Sequence, residues 1–385
     1  MTKRKKTKKK GNIVLFIIEL LILAVLIMGV FLYAQLSQGL RQLGSGGDQN
    51  DPNAKTDEVV INEGVATNGG LTGYQNIMLI GVDSREGNLD YSNSDVMIIA
   101  SINNDNWEVR LVSLYRDTYL CFDPENYKFN KANEAYARGS ARQLLSMVNA
   151  NLDLNITQYV TVDFSAVAKL IDDLGGITVY MTAQEVIHLN NYCKETSQTT
   201  GLDYEPIEVS ETDEPRNYDL NGVQAVSYAR IRYTAGADPK RTARQRLVIE
   251  KIVDKARARG LSAVQDIIKD VFPYVKTSFS SAQIIKMAAN MFNYQIVLTT
   301  GFPFEHLERT WVGSAKDVVV PVTLKDNVQE LHEFLFADED YQVSETVQGY
   351  SDEIVYVSGY GEESREKAAA ASVIPNSGGE ADIVR

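Results

Sequence analysis

The chain has 385 residues, 44% of them hydrophobic and 23% charged, with a formal net charge of −13. That length holds one large domain with a full core and flanking segments besides. The negative balance argues against a nucleic-acid partner, which needs a basic face. Two cysteines are too few for a disulfide-rich scaffold, and whether Cys121 and Cys193 pair stays open at this level. His188, His306 and His332 lack ligand spacing, which argues against a His/Cys zinc site.

Charge is divided sharply along the chain. Residues 1–10 contribute +7 and the rest −20 to the total of −13. Residues 1–11 read as a basic cytoplasmic tail. Residues 12–36 read as one transmembrane helix, because about twenty apolar residues span a bilayer and basic residues before a span stay in the cytoplasm. Glu19 lies in the cytoplasmic half of that run and reads as a tolerated acid near the interface. Everything beyond would be extracytoplasmic, on a single-pass protein of the cell membrane whose partners include the lipid bilayer. Residues 37–72, rich in Gly, Ser, Asn and Asp, read as a flexible linker. Residues 73–345 read as one α/β domain, and 346–385 as a disordered C-terminal tail.

Within the domain, NIMLIGV (76–82), DVMIIASI (95–102) and EVRLVSLY (108–115) are short apolar runs of the buried-strand kind. INNDNW (102–107) is a polar turn of hairpin length. An antiparallel meander of the three would bring the end of the first, the start of the second and the end of the third to one edge. Asp83, Arg85, Asp95, Arg116 and Asp117 all fall there. NKANEAYARGSARQLLSMVNANL follows with Leu144, Leu145 and Val148 at helical spacing. YVTVDF (159–164) and ITVYM (177–181) read as strands, with a glycine-closed helix, SAVAKLIDDLGG, between them. Residues 182–215 are polar and read as a long loop over the site. NGVQAVSYAR reads as a helix that delivers Arg230. A further amphipathic helix from about Thr242 to Gly260 places Arg241, Arg244 and Gln245 at its start, at i, i+3 and i+4.

Arginines concentrated in an acidic chain need a reason. Arg230, Arg232, Arg241 and Arg244 lie in one short stretch, and Arg85 and Arg116 each follow an apolar run. Arginine presents a planar fork of donors that matches phosphate oxygens in pairs. Interspersed with Asp83, Asp95, Asp117 and Asp238, these residues point to a pocket for a phosphorylated ligand with a divalent metal. A helix start at 241–245 would add free N–H groups and a positive dipole end.

The segments NIMLIGVDSREG, SDVMIIASIN, VRLVSLYRDTY, FNKANEAYARG, LIDDLGGITV, LNGVQAVSYARIRY and ADPKRTARQR run in order across residues 74–250. Together, behind a basic N-terminus and one span, they resemble the LytR-CpsA-Psr family of bacterial cell-envelope proteins, and ELHEFLF (330–336) fits the family's end. With the elements above, the expected fold is an α-β-α sandwich with a central mixed β-sheet, preceded by one transmembrane helix. The resemblance implies a phosphotransferase that moves a glycopolymer, of teichoic acid or capsular polysaccharide type, from a polyprenyl-pyrophosphate carrier to peptidoglycan. The product would be a phosphodiester to the C6 hydroxyl of N-acetylmuramic acid. A hydrolase of the same carrier and a non-catalytic lipid-binding or regulatory protein are the alternatives.

By motif match, Asp83 and Asp95 would hold Mg2+, with Mn2+ as a substitute. Arg85, Arg116, Arg230, Arg232, Arg241, Arg244 and Gln245 would grip the pyrophosphate, Arg244 having an outward-facing role as its alternative. Asp238, and after it Asp117, is the candidate base. Apolar residues of 282–297 would either pack the core or line a slot for the lipid. Two positions depart from the family pattern: Tyr115 stands where Pro is usual, and Arg246 where a second Gln is common.

Overall fold

The computed structural model describes residues 58–65, 69–82, 89, 92–232, 237–260, 271 and 274–372. The expected cytoplasmic tail and transmembrane helix lie outside these residues. Among the described residues, no helix is long and apolar enough to cross a membrane.

Strands β1 (Tyr74–Val82), β2 (Ser94–Asn103) and β3 (Glu108–Leu114) form the expected antiparallel meander, with Leu79 opposite Ile98 and Ile99 opposite Val112. The turn between β2 and β3 is set by asparagine. Asn103 Oδ1 accepts from Asp105 N at 2.9 Å and Asn106 Oδ1 from Glu108 N at 3.0 Å. Past β3 come a hairpin of β4 (Tyr119–Asp123) and β5 (Lys128–Lys131), then helix α1 (Glu134–Leu152). β6 (Gln158–Asp163) joins β1 in parallel, and β9 (Val275–Thr277) pairs antiparallel with β6. β10 (Gln295–Phe302) pairs in parallel with β3, so the sheet is mixed, in the order β10-β3-β2-β1-β6-β9.

The strands are apolar on both faces because both faces are covered. Met78, Ile80, Val82, Met97, Ile99 and Leu114 face one core, shared with Leu144, Leu145 and Val148 of α1. Ile77, Ile98, Ala100, Ile102 and Leu111 face the opposite side. Helices α5 (Ala237–Arg259) and α6 (Ser281–Ala289) cover that side through Ile249, Ile284 and Met287. This is the expected helix–sheet–helix sandwich. Two helices close the first core from the C-terminal end, α7 (Leu324–Phe336) and α8 (Glu345–Ser358), behind a hairpin of β11 (His306–Val312) and β12 (Ala315–Pro321).

A second core lies around the hairpin of β7 (Ile177–Met181) and β8 (Arg216–Leu220). Helices α2 (Phe164–Asp173), α3 (Ala183–Thr200) and α4 (Gly222–Arg230) pack on it, with Val248 of α5. α2 and α4 meet so closely at Gly222 that a Cβ there would lie 2.0 Å from the Ala168 carbonyl oxygen. Only glycine fits.

Three expectations need correction. The long loop over 182–215 is a helix for its first half: α3 opens on a reciprocal cap between Thr182 and Glu185 and buries Val186, Leu189 and Cys193. The linker ends before residue 72, because Asn62, Val65 and Leu71 are buried and Val60 N donates to Ser146 Oγ at 3.1 Å. The tail assigned to 346–385 begins instead as α8, whose Val347, Tyr350 and Ile354 belong to the main core, and continues as α9 (Arg365–Ser372). Cys121 and Cys193 are free thiols in different cores.

Candidate functional site

The meander brings Asp95, Arg116 and Asp117 to one rim, where the spacing puts them. Val82, the last residue of β1, is paired with Ser94, and the next residue of β2 is Asp95. Arg116 follows β3 in a turn held by Thr118, whose N and Oγ1 both donate to the Tyr115 carbonyl, at 3.0 and 2.7 Å. From there Arg116 Nη1 donates to Asp95 Oδ1 at 2.7 Å, and its Nε to Asp117 Oδ2 at 3.3 Å. Lys131 Nζ lies 3.0 Å from Asp117 Oδ1, and Arg232 Nη2 3.8 Å from Asp95 Oδ2. The result is a chain of alternating charge, Lys131–Asp117–Arg116–Asp95–Arg232, whose Asp and Arg116 side chains are about one-fifth exposed. Asn133 N donates to the Arg116 carbonyl at 3.0 Å, so the segment after β5 braces this loop.

Helix α5 brings the second set of residues. It begins at Ala237, more than a turn earlier than its sequence implies, so Arg241 and Gln245 stand in its body rather than at its N-terminus. Arg241 is 2% exposed and its Nη2 reaches the Asp95 carbonyl at 3.5 Å. The Gln245 side chain is buried beside it, its Oε1 without a hydrogen-bond partner among the described residues.

Two of the predicted arginines are engaged elsewhere. Arg230, at the end of α4, donates to Thr196 Oγ1 at 2.9 Å and pairs with Glu195 at 3.1 Å, its guanidinium over the Phe164 ring. Arg244 is neither outward-facing nor at the rim. It is buried, and its Nε and Nη2 both donate to Glu185 Oε1, at 3.2 and 3.0 Å. Glu185 Oε2 in turn caps α3 through Thr182 N. Arg244 therefore ties α5 to α3. Asp83 and Arg85 lie outside the described residues, as does the Asp238 side chain. Lys131 and Asn133, which the sequence reads as supports of the Arg116 loop, both lie against it, Lys131 through Asp117 and Asn133 through the Arg116 carbonyl.

The site's chemistry is that of an anion pocket that also offers carboxylate oxygens. Asp95 offers carboxylate oxygens of the kind a divalent ion takes, and its partner guanidinia are partly exposed, so a cation could compete for it. Asp163, the last residue of β6, is a further carboxylate beside Val82. Its side chain caps α2 at Ala166 N, and burial pushes its pKa up.

The fold and the motifs define a cell-envelope protein family. The profile of the LytR_cpsA_psr family matches residues 40–331, and the chain belongs to that family. It is 31% identical over 286 residues to the polyisoprenyl-teichoic acid–peptidoglycan teichoic acid transferase TagU of Enterococcus faecalis, spanning 74% of this chain and 83% of that protein. It is 27% identical over 284 residues to TagU of Bacillus subtilis, spanning 72% and 81%. The crystal structure of B. subtilis TagT shares its fold, with a TM-score of 0.51 at 18% identity over 71% of this chain and 94% of that one.

Proposed function

We propose that this chain is an envelope phosphotransferase that moves a glycopolymer from a polyprenyl-pyrophosphate carrier to peptidoglycan. The polymer is of teichoic acid or capsular polysaccharide type, and the bond formed is a phosphodiester to N-acetylmuramic acid. The observation that carries the reading is the rim itself: Arg116, Arg232 and Arg241 converge on Asp95 in a chain whose relatives are named as teichoic acid transferases. A helix over residues 12–36 would anchor it, with the basic tail in the cytoplasm and the domain outside.

Each residue has a part. The acceptor oxygen attacks the glycan-side phosphorus while the bond to the bridging oxygen breaks, and polyprenyl phosphate leaves with that oxygen and its electron pair. Charge grows on nonbridging oxygens and on the leaving phosphate, where fixed arginines stabilise it without a covalent nucleophile. Arg116 and Arg232 exchange the Asp95 carboxylate for phosphate oxygens, and Arg241 supports them from α5. Asp117 is held by Arg116 and Lys131, which suits a positioning role and leaves Asp238 as the base. Asp83 and Asp95 would hold Mg2+, or Mn2+ in its place, which when bound neutralises phosphate charge. Arg85, Arg230 and Gln245 complete the pyrophosphate contacts, and Arg244 orients α5 for them. The isoprenoid would lie along the apolar layer of α6 and β10, where Ile284, Met287, Tyr294 and Ile296 are half-buried and Phe292 is exposed.

The test is transfer by the full-length protein in detergent, given a labelled lipid-linked glycan and peptidoglycan. Label must join peptidoglycan and must stop doing so in Arg116→Ala. Label released to water identifies a hydrolase instead, and transfer retained in Arg116→Ala would leave the pocket idle and overturn the reading.

A further inference from the structure

The elements that brace the Arg116 loop also enclose a cavity. Strand β4 starts two residues beyond Asp117, β5 ends at Lys131 against Asp117, and α1 starts beside Asn133, which bonds the Arg116 carbonyl. Further along, the three elements surround about 280 Å³, lined by Phe122, Asp123, Glu125 and Asn126, by Lys128, and by Arg138 and Gln143 of α1. At about 3.3 Å per residue of strand, Asp123 lies within about 20 Å of Asp117. At about 1.5 Å per residue of helix, Arg138 lies about 8 Å along α1 from Asn133. A few sugar rings cover that reach.

The cavity has firm walls and a loose mouth. Gln143 Nε2 donates to the Phe122 carbonyl at 2.9 Å, and Asn151 of α1 donates to the Cys121 carbonyl at 2.8 Å and accepts from Cys121 N at 3.0 Å. At the mouth, Lys128 pairs with Asp123 at 3.3 Å and Arg142 with Glu125 at 3.0 Å. Such exposed pairs are weak and exchange for ligand groups. Arg138 and Gln143 are five residues apart and would point about 140° apart on an unbroken helix. α1 is broken between them: Gly139 and Ser140 leave helical backbone, Ser140 at φ 56° and ψ −152°. That conformation is costly for a residue with a Cβ, and strain of this kind gathers at ligand sites. Ser140 Oγ is buried there without a hydrogen-bond partner among the described residues.

The lining says what kind of ligand. Two carboxylates, two cations and two amides surround the Phe122 ring, with the Arg138 guanidinium 5.8 Å from its centre. Asp123 and Glu125 make this a poor seat for a polyanion. Donors and acceptors of both signs suit a ligand rich in hydroxyls and amides that carries both charges itself. Peptidoglycan is such a ligand, with N-acetylated sugars and a short peptide bearing carboxylates and amines. The side of the sheet agrees. Phe122 belongs to the core on the α1 side, whereas the apolar layer assigned to the isoprenoid lies on the α5 side. In-line displacement sets the entering and leaving oxygens on opposite sides of phosphorus. A lipid that leaves on the α5 side requires an acceptor that enters from the α1 side.

We propose that this cavity binds the peptidoglycan acceptor, holding an N-acetylated sugar and its peptide while a nearby muramic acid hydroxyl reaches the rim. The proposal rests on the transferase reading above.

The test uses the full-length protein in detergent and soluble, uncross-linked peptidoglycan fragments. Calorimetry without donor gives their binding, and transfer assays give their KM and that of the lipid-linked glycan. Lys128→Gln combined with Arg138→Gln should weaken fragment binding and raise the fragment KM at least fivefold, with the KM of the lipid-linked glycan within twofold of wild type. Arg138→Gln alone should lose at least twofold and serves if the pair does not fold. Smaller losses, or a rise in the KM of the lipid-linked glycan in their place, overturn the proposal. A glycerol phosphate oligomer that binds wild type and is lost in the variants assigns the cavity to the transferred polymer and also overturns it. If wild type neither binds fragments nor transfers label, the transferase reading falls together with this one. If wild type transfers label and the variants keep the fragment KM, only the role of the cavity falls.

Discussion

Arg116 donates to the Asp95 carboxylate at 2.7 Å, joining the turn after β3 to the first residues of β2. The same guanidinium holds Asp117 at 3.3 Å, so one cation separates two carboxylates. Arg116→Ala leaves both acids facing each other across the pocket and removes a donor aimed at phosphate. Loss of one such preorganised donor typically lowers turnover about 10²–10³-fold. That drop is expected in the rate of label transfer to peptidoglycan. Arg116→Lys should recover little of it, because an ammonium cannot bond Asp95 and Asp117 in the same fork geometry.

Asp95 is the described half of the candidate metal pair, and it is engaged by Arg116 and Arg232. A chelator should abolish transfer, Mg2+ should restore it, and Mn2+ should do so in part. Asp95→Asn keeps the side chain's shape but removes the charge that draws the cation. Its transfer rate, followed against added Mg2+, should saturate only at higher concentration than in wild type. Full activity of wild type in chelator would refute the metal's role.

Arg244 and Glu185 make a buried pair across two helices, at 3.0 Å. Removing one partner strands a buried charge, which costs about 3–5 kcal/mol. Arg244→Met and Glu185→Leu should each lower the unfolding free energy measured in urea by an amount in that range, whereas the double variant should recover much of it. A rim role for Arg244 predicts the opposite pattern: near-normal stability with lost pyrophosphate binding.

The sequence reveals the meander and its rim because each strand is a short apolar run closed by polar turn residues, and strand ends follow from counting. It reveals less of what pairs with the rim. Glu185 lies 59 residues from Arg244, and no local pattern links them. Helix α3 was legible in principle: Val186, Leu189, Cys193 and Thr196 are buried at helical spacing behind a Thr182–Glu185 capping box. Its Asn, Gln, Lys and Glu content hides that stripe in a polar average. α8 carries the same kind of stripe, Val347, Tyr350 and Ile354, behind an Ser344 cap, but an alanine-rich, glycine-containing end makes the whole region read as a tail.

His332 gives a stability signature in pH. Its Nε2 lies 3.0 Å from the Leu152 carbonyl, which can only accept, so the ring carries its proton there. The ring stacks on Tyr341 at 3.5 Å, and burial holds its pKa below the ordinary histidine range. The unfolded chain then binds a proton at a pH where the folded chain does not. Stability from this group is full above the unfolded pKa and falls as pH drops from there toward the folded value. His332→Gln should lose stacking at every pH but flatten the acid side, so the wild-type advantage in Tm should shrink between about pH 7 and pH 5. An advantage that stays constant across that window would show that His332 does not titrate with unfolding.

The C-terminal region gives the sharpest division between core and appendage. Val347, Tyr350 and Ile354 of α8 are buried against the main core, and Asp153 binds Ser344 N at 2.7 Å while Asn62 Nδ2 reaches its other oxygen. One acid thus holds the chain entering the domain and the chain entering α8. Each large buried side chain contributes about 1.5–3 kcal/mol, so losing three removes an amount comparable to the whole stability of an ordinary domain. A chain ending at residue 344 should fail to give a cooperative melting transition. A chain ending at residue 372 keeps α8 and α9 and should melt within a degree or two of the full-length protein and transfer label at the same rate. Normal melting of the shorter chain would mean that α8 is an ornament on a core already complete.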